Sequence, residues 1–427
     1  MSTRPAMSQQ QVEAAGNKLL ALSASHLSTY LEACLHCGQC ATACHFHEVS
    51  GDPRHTPAYK LFPMARAYKR SKSPLNWFGL TKTVTQADLD EWEELIFDTC
   101  TMCGRCSTVC PMGIDIAAIV AGTRQAFAAA GLGPEDLMQA ADNVRDHGSP
   151  LKVSKSVLED RLEWIADEHE TEIPLDKKGA EVLFTISSIE LMKYPDSVGA
   201  MAQILNAGGV NWTVSTAGYE STNFGYLSGK PDLAKLGVTR IVEAAEAAGI
   251  KTVIIPECGH AYTVLRWGGA NILGRPLPFE VFHITEYLAQ LKRDGRISFT
   301  PTDEAFTYHD PCQISRRGGA EADARYLLDG FAPNFREMAP TGNYNWCCGG
   351  GGGVQAISRA APLRHKVFEI KAKQVAAAGT DMMVSSCANC RLTFDESIAA
   401  LKWGGKLESL VEILASHLIE KPQKPAN

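Results

Sequence analysis

Apolar residues fall into two textures along this chain. From about Asn17 to Glu170 they recur at helical spacing. In "QADLDEWEELIFDTC", Leu89, Trp92, Leu95 and Ile96 share one helical face. "IAAIVAGTRQAFAAAG" and "SVLEDRLEWIADEHE" also read as helices, and the first stops at a glycine. Residues 1–16 read as a polar tail and residues 421–427 as a second one. "GDPRHTPAYKLFPMARAYKRSKSPLNW" carries Pro53, Pro57, Pro63 and Pro74, which predicts a long connection with short helices. Past Pro174 the pattern changes. Short β-rich runs, "EVLFTI" (181–186), "NWTVS" (211–215), "KTVIIP" (251–256), "AFTYHD" (305–310) and "DMMVSS" (381–386), alternate with alanine-rich helical segments. That alternation predicts βα units with a parallel sheet.

The second half also carries an internal repeat. "KTVIIPECGHAY" and "DMMVSSCANCRL" are each a buried strand ending in a cysteine turn, which sets Cys258 against Cys387. The same offset carries Cys347 and Cys348 onto Gly218 and Tyr219, and Cys390 onto Ala261. Cys312 falls near Ser187 and Ser188. Two related domains are expected, 178–298 and 299–420, behind a helical domain at 17–177. Only the last keeps its cysteines.

Composition narrows the function. Of 427 residues 45% are apolar and 21% charged, which is ordinary globular composition, and the net charge of −7 gives no reason to expect nucleic acid binding. "MSTRPAMSQQQVEAAGNK" has no apolar signal core, and no apolar run is long enough to span a membrane. A reducing compartment is therefore expected. There, fourteen cysteines read as metal ligands rather than disulfides.

Eight of them are explicit. Cys34, Cys37, Cys40 and Cys44 stand at C-x2-C-x2-C-x3-C spacing, and Cys100, Cys103, Cys106 and Cys110 repeat it. Each quartet resembles half of a two-cluster ferredoxin, although His45 replaces the proline that Pro111 supplies after Cys110. The x2 spacing curls one loop around a cube, and the fourth cysteine ligates the other cluster. One cubane [4Fe–4S] cluster is thus assigned to Cys34, Cys37, Cys40 and Cys110, the other to Cys100, Cys103, Cys106 and Cys44. Zinc fits less well, because it favours two paired CxxC elements. His45, His47 and His55 read as outer-shell or surface residues rather than ligands.

The remaining cysteines are Cys258 and five in "HDPCQISRRGG", "NYNWCCGGGGG" and "SSCANC": Cys312, Cys347, Cys348, Cys387 and Cys390. Strand ends in an open α/β sheet converge on one crevice. Five thiolates exceed the need of one cubane, and the glycine run 349–353 permits positive φ and close backbone approach. A separate zinc site, or a regular cubane with spare thiols, stays open on the residues alone. A phosphate loop does not, since no Lys-Ser/Thr follows the glycines. Arg316 and Arg317 read as a solvated turn, or as an attractor for a carboxylate-bearing thiol.

A cysteine, then Cys-Cys-Gly, then CxxC resembles the cysteine-rich CCG domain of heterodisulfide reductases. Behind two ferredoxin motifs it resembles the D-subunit family of those enzymes, from about Leu19 to Leu418. Within that family it is most similar to the K subunit of the sulfite-reductase-linked membrane complex and its counterpart in membrane-linked hydrogenases. The resemblance implies an α-helical two-cluster ferredoxin domain followed by two α/β CCG-type domains. It also implies a noncubane [4Fe–4S] cluster on Cys312, Cys347, Cys348, Cys387 and Cys390, where a disulfide, trisulfide or persulfide is reduced or formed. Full heterodisulfide reductases carry two complete CCG motifs, whereas 178–298 keeps only Cys258. Cys258 is then a redox partner for a substrate thiol or an inert relic. Glu257 and His260 beside it read as structural or as proton donors.

The resemblance further implies a cytoplasmic oxidoreductase component, peripheral to the inner face of the cell membrane. A cytochrome b-type or hydrogenase partner would feed it, and the substrate would be a disulfide, a thiol or a small sulfur carrier. Two alternatives stand beside it: the iron–sulfur electron-transfer component of a flavin dehydrogenase complex (glycolate, lactate or glycerol-3-phosphate oxidation), and a structural zinc scaffold.

Overall fold

The computed structural model describes residues 7–78, 80 and 83–419. The tail expected at 421–427 lies outside them. The tail expected at 1–16 is helical from Gln9 onward. Ser8 and Gln11 form a reciprocal capping box at the start of the helix Gln9–Ser23, which buries Ala15 and Leu19. Among the described residues, no helix is long and apolar enough to cross a membrane.

The chain forms two compact units. The first comprises 1–142, 224–234 and 346–371. Its helices Gln9–Ser23, Phe62–Lys72 and Ile116–Ala129 pack together. The expected helix before Cys100 is present as Gln86–Glu93, running into a π-helical turn Glu94–Asp98, and Leu89, Trp92, Leu95 and Ile96 are all buried. The proline-rich connection forms short 3-10 turns at Pro53–His55, Pro57–Leu61 and Pro74–Asn76 around the helix Phe62–Lys72.

The unit does not end where the linear reading puts a domain boundary. Arg124, alone in charge on the helix Ile116–Ala129, reaches carbonyls on two distant segments. It donates to Leu227 (2.7 Å) and to Gly352. Gly229, at φ +80°, packs against the Arg124 backbone where a side chain would not fit.

The second unit comprises 143–223, 235–345 and 372–427. Every expected β-rich run contains a strand: β1 (Val182–Phe184), β2 (Trp212–Thr213) and β3 (Thr252–Ile255). Two edge strands, β4 (Glu280–His283) and β7 (Lys406–Ser409), join them, with β5 (Thr307–His309) and β6 (Met382–Ser385) between in sequence. All pairings are parallel, in sheets ordered β2-β1-β3-β4 and β5-β6-β7. The two sheets share one apolar core, with Phe184, Ile254, Tyr308 and Val384 in the same cluster. The strands of 178–298 and 299–420 therefore share one core in the second unit, while 224–234 and 346–371 from within these segments belong to the first.

Candidate functional site

The two C-x2-C-x2-C loops fold alike in the first unit. His36 and Gly38 take φ of 51° and 80°, and Met102 and Gly104 take 53° and 76°. A left-handed residue on each side of the middle cysteine curls the loop, at a cost that His36 and Met102 bear and the glycines do not. Cys44 then caps the helix His45–Ser50, so His45 starts a helix where a proline is usual.

Two cavities lie against these loops. Cys34, Cys37, Cys40 and Cys110 line one. Cys44, Cys100, Cys103 and Cys106 line the other, with His45 and Lys60. Each cavity thus takes three cysteines from one motif and the fourth from the other. All fourteen cysteines are free thiols. Burial raises the thiols of Cys44 and Cys100, and it raises Cys106 strongly, with neighbouring Cys103, Cys100, Cys44 and Cys40 adding repulsion. Four crowded thiols, Cys44 and Cys103 buried and Cys100 and Cys106 partly so, resist ionising together unless a cation joins them, and that donor set fits an iron–sulfur cluster.

The Cys-Cys-Gly segment belongs to the first unit. The Cys347 thiol donates to Thr101 Oγ1 (3.4 Å), and Cys347, Cys103 and His45 place their ligand atoms within 4.8 Å of one another. The hydrogen bond with Cys347 is the main cause that raises the Cys103 thiol, with burial next. Arg105 lies over the Trp346 ring, 3.5 Å from its centroid. Backbone N–H groups of Gly349 and Gly350 point at the sulfurs of Cys347 and Cys348, each at 3.5 Å. The close approach foreseen for the glycine run is realised at Gly352, at φ +63°, where a Cβ would come 2.8 Å from the Thr101 backbone.

Cys312, Cys387, Cys390 and Cys258 belong to the second unit and are buried. Cys312 follows β5, Cys387 follows β6 and Cys258 follows β3, at the same end of parallel strands. Cys387 caps the helix Ala388–Leu401, with Cys390 in its first turn. Its thiol is lowered, chiefly by the Cys390 side chain and also by the Gly259 N–H, against burial. Cys258 caps the short helix Gly259–Thr263, and burial pushes its thiol upward.

Glu257 is tied into the core by Arg391 (2.8 Å) and Ser409 (3.0 Å), while burial raises its carboxyl to about 8. Arg316 is not a solvated turn residue. It donates to the carbonyls of Asn343 and Asn345, which holds the loop ahead of Trp346. Lys60 and Arg124 belong to no motif, and spacing does not reveal them. The signal for Arg124 is its place as the one charge in an apolar helix.

Residues 30–114 match the 4Fe-4S dicluster domain, and residues 306–395 match the cysteine-rich domain of the CCG family. The chain is 29% identical over 402 residues to the D subunit of the dihydromethanophenazine:CoB–CoM heterodisulfide reductase of Methanosarcina barkeri, covering 91% of this chain and 94% of that protein. It is 25% identical over 459 aligned positions to the Hdr-like menaquinol oxidoreductase iron-sulfur subunit 2 of Archaeoglobus fulgidus, covering 92% and 81%. It is 24% identical over 402 residues to the EtfAB:quinone oxidoreductase of Syntrophomonas wolfei, covering 87% of this chain and 55% of that protein. Both cysteine-bearing domains are matched, and the chain is similar along nearly its whole length to the iron–sulfur D subunit of heterodisulfide reductase.

Proposed function

We propose that this chain is the iron–sulfur component of a heterodisulfide-reductase-like complex, taking electrons from a partner and delivering them to a sulfur–sulfur bond. One observation carries the reading: eight cysteines line two cavities in crossed quartets, within a chain similar to the reductase D subunit over nine-tenths of its length. Cys34, Cys37, Cys40 and Cys110 would hold one cubane cluster, and Cys44, Cys100, Cys103 and Cys106 the other. Cys312, Cys347, Cys348, Cys387 and Cys390 would hold a noncubane cluster, as the CCG likeness implies. When bound, these groups supply one-electron transfer and a metal site at which a disulfide, trisulfide or persulfide is cleaved or formed.

The chain's own residues prepare that site. Gly349 and Gly350 offer N–H groups to the sulfurs of Cys347 and Cys348, and Cys390 eases ionisation of Cys387. Cleaving a disulfide to two thiols takes two electrons and two protons, and the reverse reaction returns them. Segment 178–298 is read as a degenerate CCG-type half. Its support is the shared strand order β1-β3-β4 and β5-β6-β7, and the matching caps at Cys258 and Cys387.

The electron source is read as a membrane cytochrome b-type or hydrogenase partner, which would hold the chain at the inner face of the membrane. A surface to meet it runs from Lys69, Arg70 and Lys72 to Trp77, Phe78 and Leu80, whose side chains are 92%, 76% and 72% exposed. The likeness to a quinone oxidoreductase favours a second reading, electron transfer within a flavin dehydrogenase complex without sulfur chemistry.

Metal analysis of the anaerobically purified chain decides most of this. Two cubanes and a four-iron noncubane cluster predict about twelve irons per chain with matching sulfide. About eight would remove the third cluster, and zinc in place of iron would overturn the reading. A co-purifying flavoprotein would favour the second reading.

A further inference from the structure

The two cysteine-lined cavities differ in charge. The one bearing Cys34, Cys37, Cys40 and Cys110 is otherwise lined by Leu35, Leu61 and Met112 among others. Among the described residues no lysine or arginine lines it, and Cys37 is exposed. The one bearing Cys44, Cys100, Cys103 and Cys106 is lined by Lys60, only 2% exposed. Lys60 Nζ donates to the His55 carbonyl and to Thr99 Oγ1, both at 3.2 Å. The Cys44 thiol donates to the same His55 carbonyl at 3.5 Å, so ammonium and sulfur share one partner. A second cation, Arg124, is fully buried and donates to the Cys100 carbonyl at 2.9 Å.

Among the described residues neither cation bonds to a carboxylate. The nearby buried carboxylates, Glu93 and Asp98, are taken by Arg359. An ion buried without a counter-ion costs more than a few neutral hydrogen bonds return. Two such cations beside one set of four cysteines mark where the chain expects negative charge. The buried His45 imidazole lies beside Cys103 at the same site, their ligand atoms within 4.8 Å of one another.

We propose, resting on the two-cluster reading above, that Lys60 and Arg124 are the fixed counter-charges of the site formed by Cys44, Cys100, Cys103 and Cys106. They make it the higher-potential member of the pair, where a shared electron rests. Burial works the other way, because each added electron makes a thiolate-bound cluster more negative and harder to desolvate. Two full charges at close range in poorly screened protein outweigh it, and hydrogen bonds to cluster sulfurs act in the same direction. Lys60 and Arg124 are thus positioning residues for electron flow: they bind no substrate.

The test is a spectroscopic redox titration of the iron-loaded chain, with dithionite as reductant. In the wild type the two cubane signals should have separate midpoints. Cys37→Ser should alter only the lower-potential signal. Lys60→Gln should lower only the higher midpoint, disfavouring its reduction at least tenfold, about 59 mV for one electron. Lys60→Arg should restore it. An unmoved higher midpoint, a shift in the lower one, or a Cys37→Ser change in the higher-potential signal would overturn the proposal. If Lys60→Gln does not fold, the Cys37→Ser assignment still decides. Iron content separates the two levels: a wild type lacking the cubane irons sinks the two-cluster reading, whereas full iron with the wrong midpoints sinks only this proposal.

Discussion

Replacing Arg124 with Met tests whether one buried cation holds four segments of the first unit together. The guanidinium donates to the carbonyls of Ile96 (3.0 and 3.2 Å), Cys100 (2.9 Å), Leu227 (2.7 Å) and Gly352, and it lies 4.8 Å from the Phe97 ring centroid. Met has a similar unbranched stem, so the substitution leaves little cavity. What it leaves is three buried carbonyls and the partly buried one of Cys100 without this donor, each costing on the order of 1 kcal/mol. The lost ring contact adds about 1 kcal/mol. Relief from burying an unpaired ion subtracts a comparable amount. The net expectation is about 3–5 kcal/mol. Native-state hydrogen exchange on the iron-loaded chain reads it directly. Protection should fall by roughly two to three and a half orders of magnitude, at about 1.4 kcal/mol per tenfold, in the cysteine loop after Cys100, the helix Phe224–Ser228 and the glycine run together. Arg124→Lys, whose single ammonium reaches fewer carbonyls, should fall between. A loss below tenfold, or one confined to a single segment, would refute the assignment of Arg124 as a shared clamp.

His283 caps the helix Ile284–Arg293, and burial lowers its imidazole to about 3. A folded pKa below the ordinary 6.5 means that the unfolded chain takes up the proton first, so this contribution is complete above that value and is lost as pH falls through it. Between about pH 7 and 5.5 the helix should lose on the order of 1 kcal/mol of protection, and His283→Asn should remove that slope while keeping a cap. Cys348→Ala should abolish the paramagnetic signal that appears when the oxidised protein meets a substrate thiol, and leave the dithionite-reduced cubane signals intact; equal loss of both would refute the separate third site. Cys258→Ala should leave all iron in place and turnover near normal. Severe loss of turnover with full iron would make Cys258 the partner of the second sulfur, and loss of iron would make it a ligand.

Much of this was legible because it is written in spacing. The C-x2-C-x2-C loops and the β-rich runs are local signals, and the strands lie within 181–186, 211–215, 251–256, 305–310 and 381–386 as the runs predict. Strands β4 and β7 were not legible, because exposed and half-buried positions interrupt them, Glu280 and Lys406 among them, so no continuous apolar run marks them as it does the fully buried edge strands β2 and β5. The polar start concealed a helix, because Ala15 and Leu19 are too few to set a period even though Ser8 and Gln11 form its cap. Least legible was the membership of 224–234 and 346–371 in the first unit. It depends on Arg124 and Thr101 meeting backbone atoms more than a hundred positions away, and such contacts leave no repeat in a sequence.

Cys258 and Cys387 show how one residue changes the chemistry of a shared local geometry. Each follows a parallel strand and caps a helix, with φ and ψ of −128° and 96° at Cys258 and −144° and 111° at Cys387. The two turns interlock: Ala388 N–H donates to the Glu257 carbonyl at 2.7 Å, and Gly259 N–H lowers the Cys387 thiol. Three positions on, however, stands Ala261 in one turn and Cys390 in the other. The Cys390 side chain is the main cause that lowers Cys387, and Ala261 has no side-chain donor to offer Cys258. Burial then dominates at Cys258, and charge at Cys387 raises it further. A thiol must ionise to attack a disulfide or to bind metal, so Cys258 is held in its unreactive form by the same fold that readies Cys387. A second cysteine in place of Ala261 would supply the missing donor. Ala261→Cys is therefore the substitution that should bring Cys258 down toward the ordinary thiol range, read as faster alkylation of Cys258 in the iron-loaded chain; unchanged alkylation would mean that burial alone, and not the lost neighbour, keeps it silent.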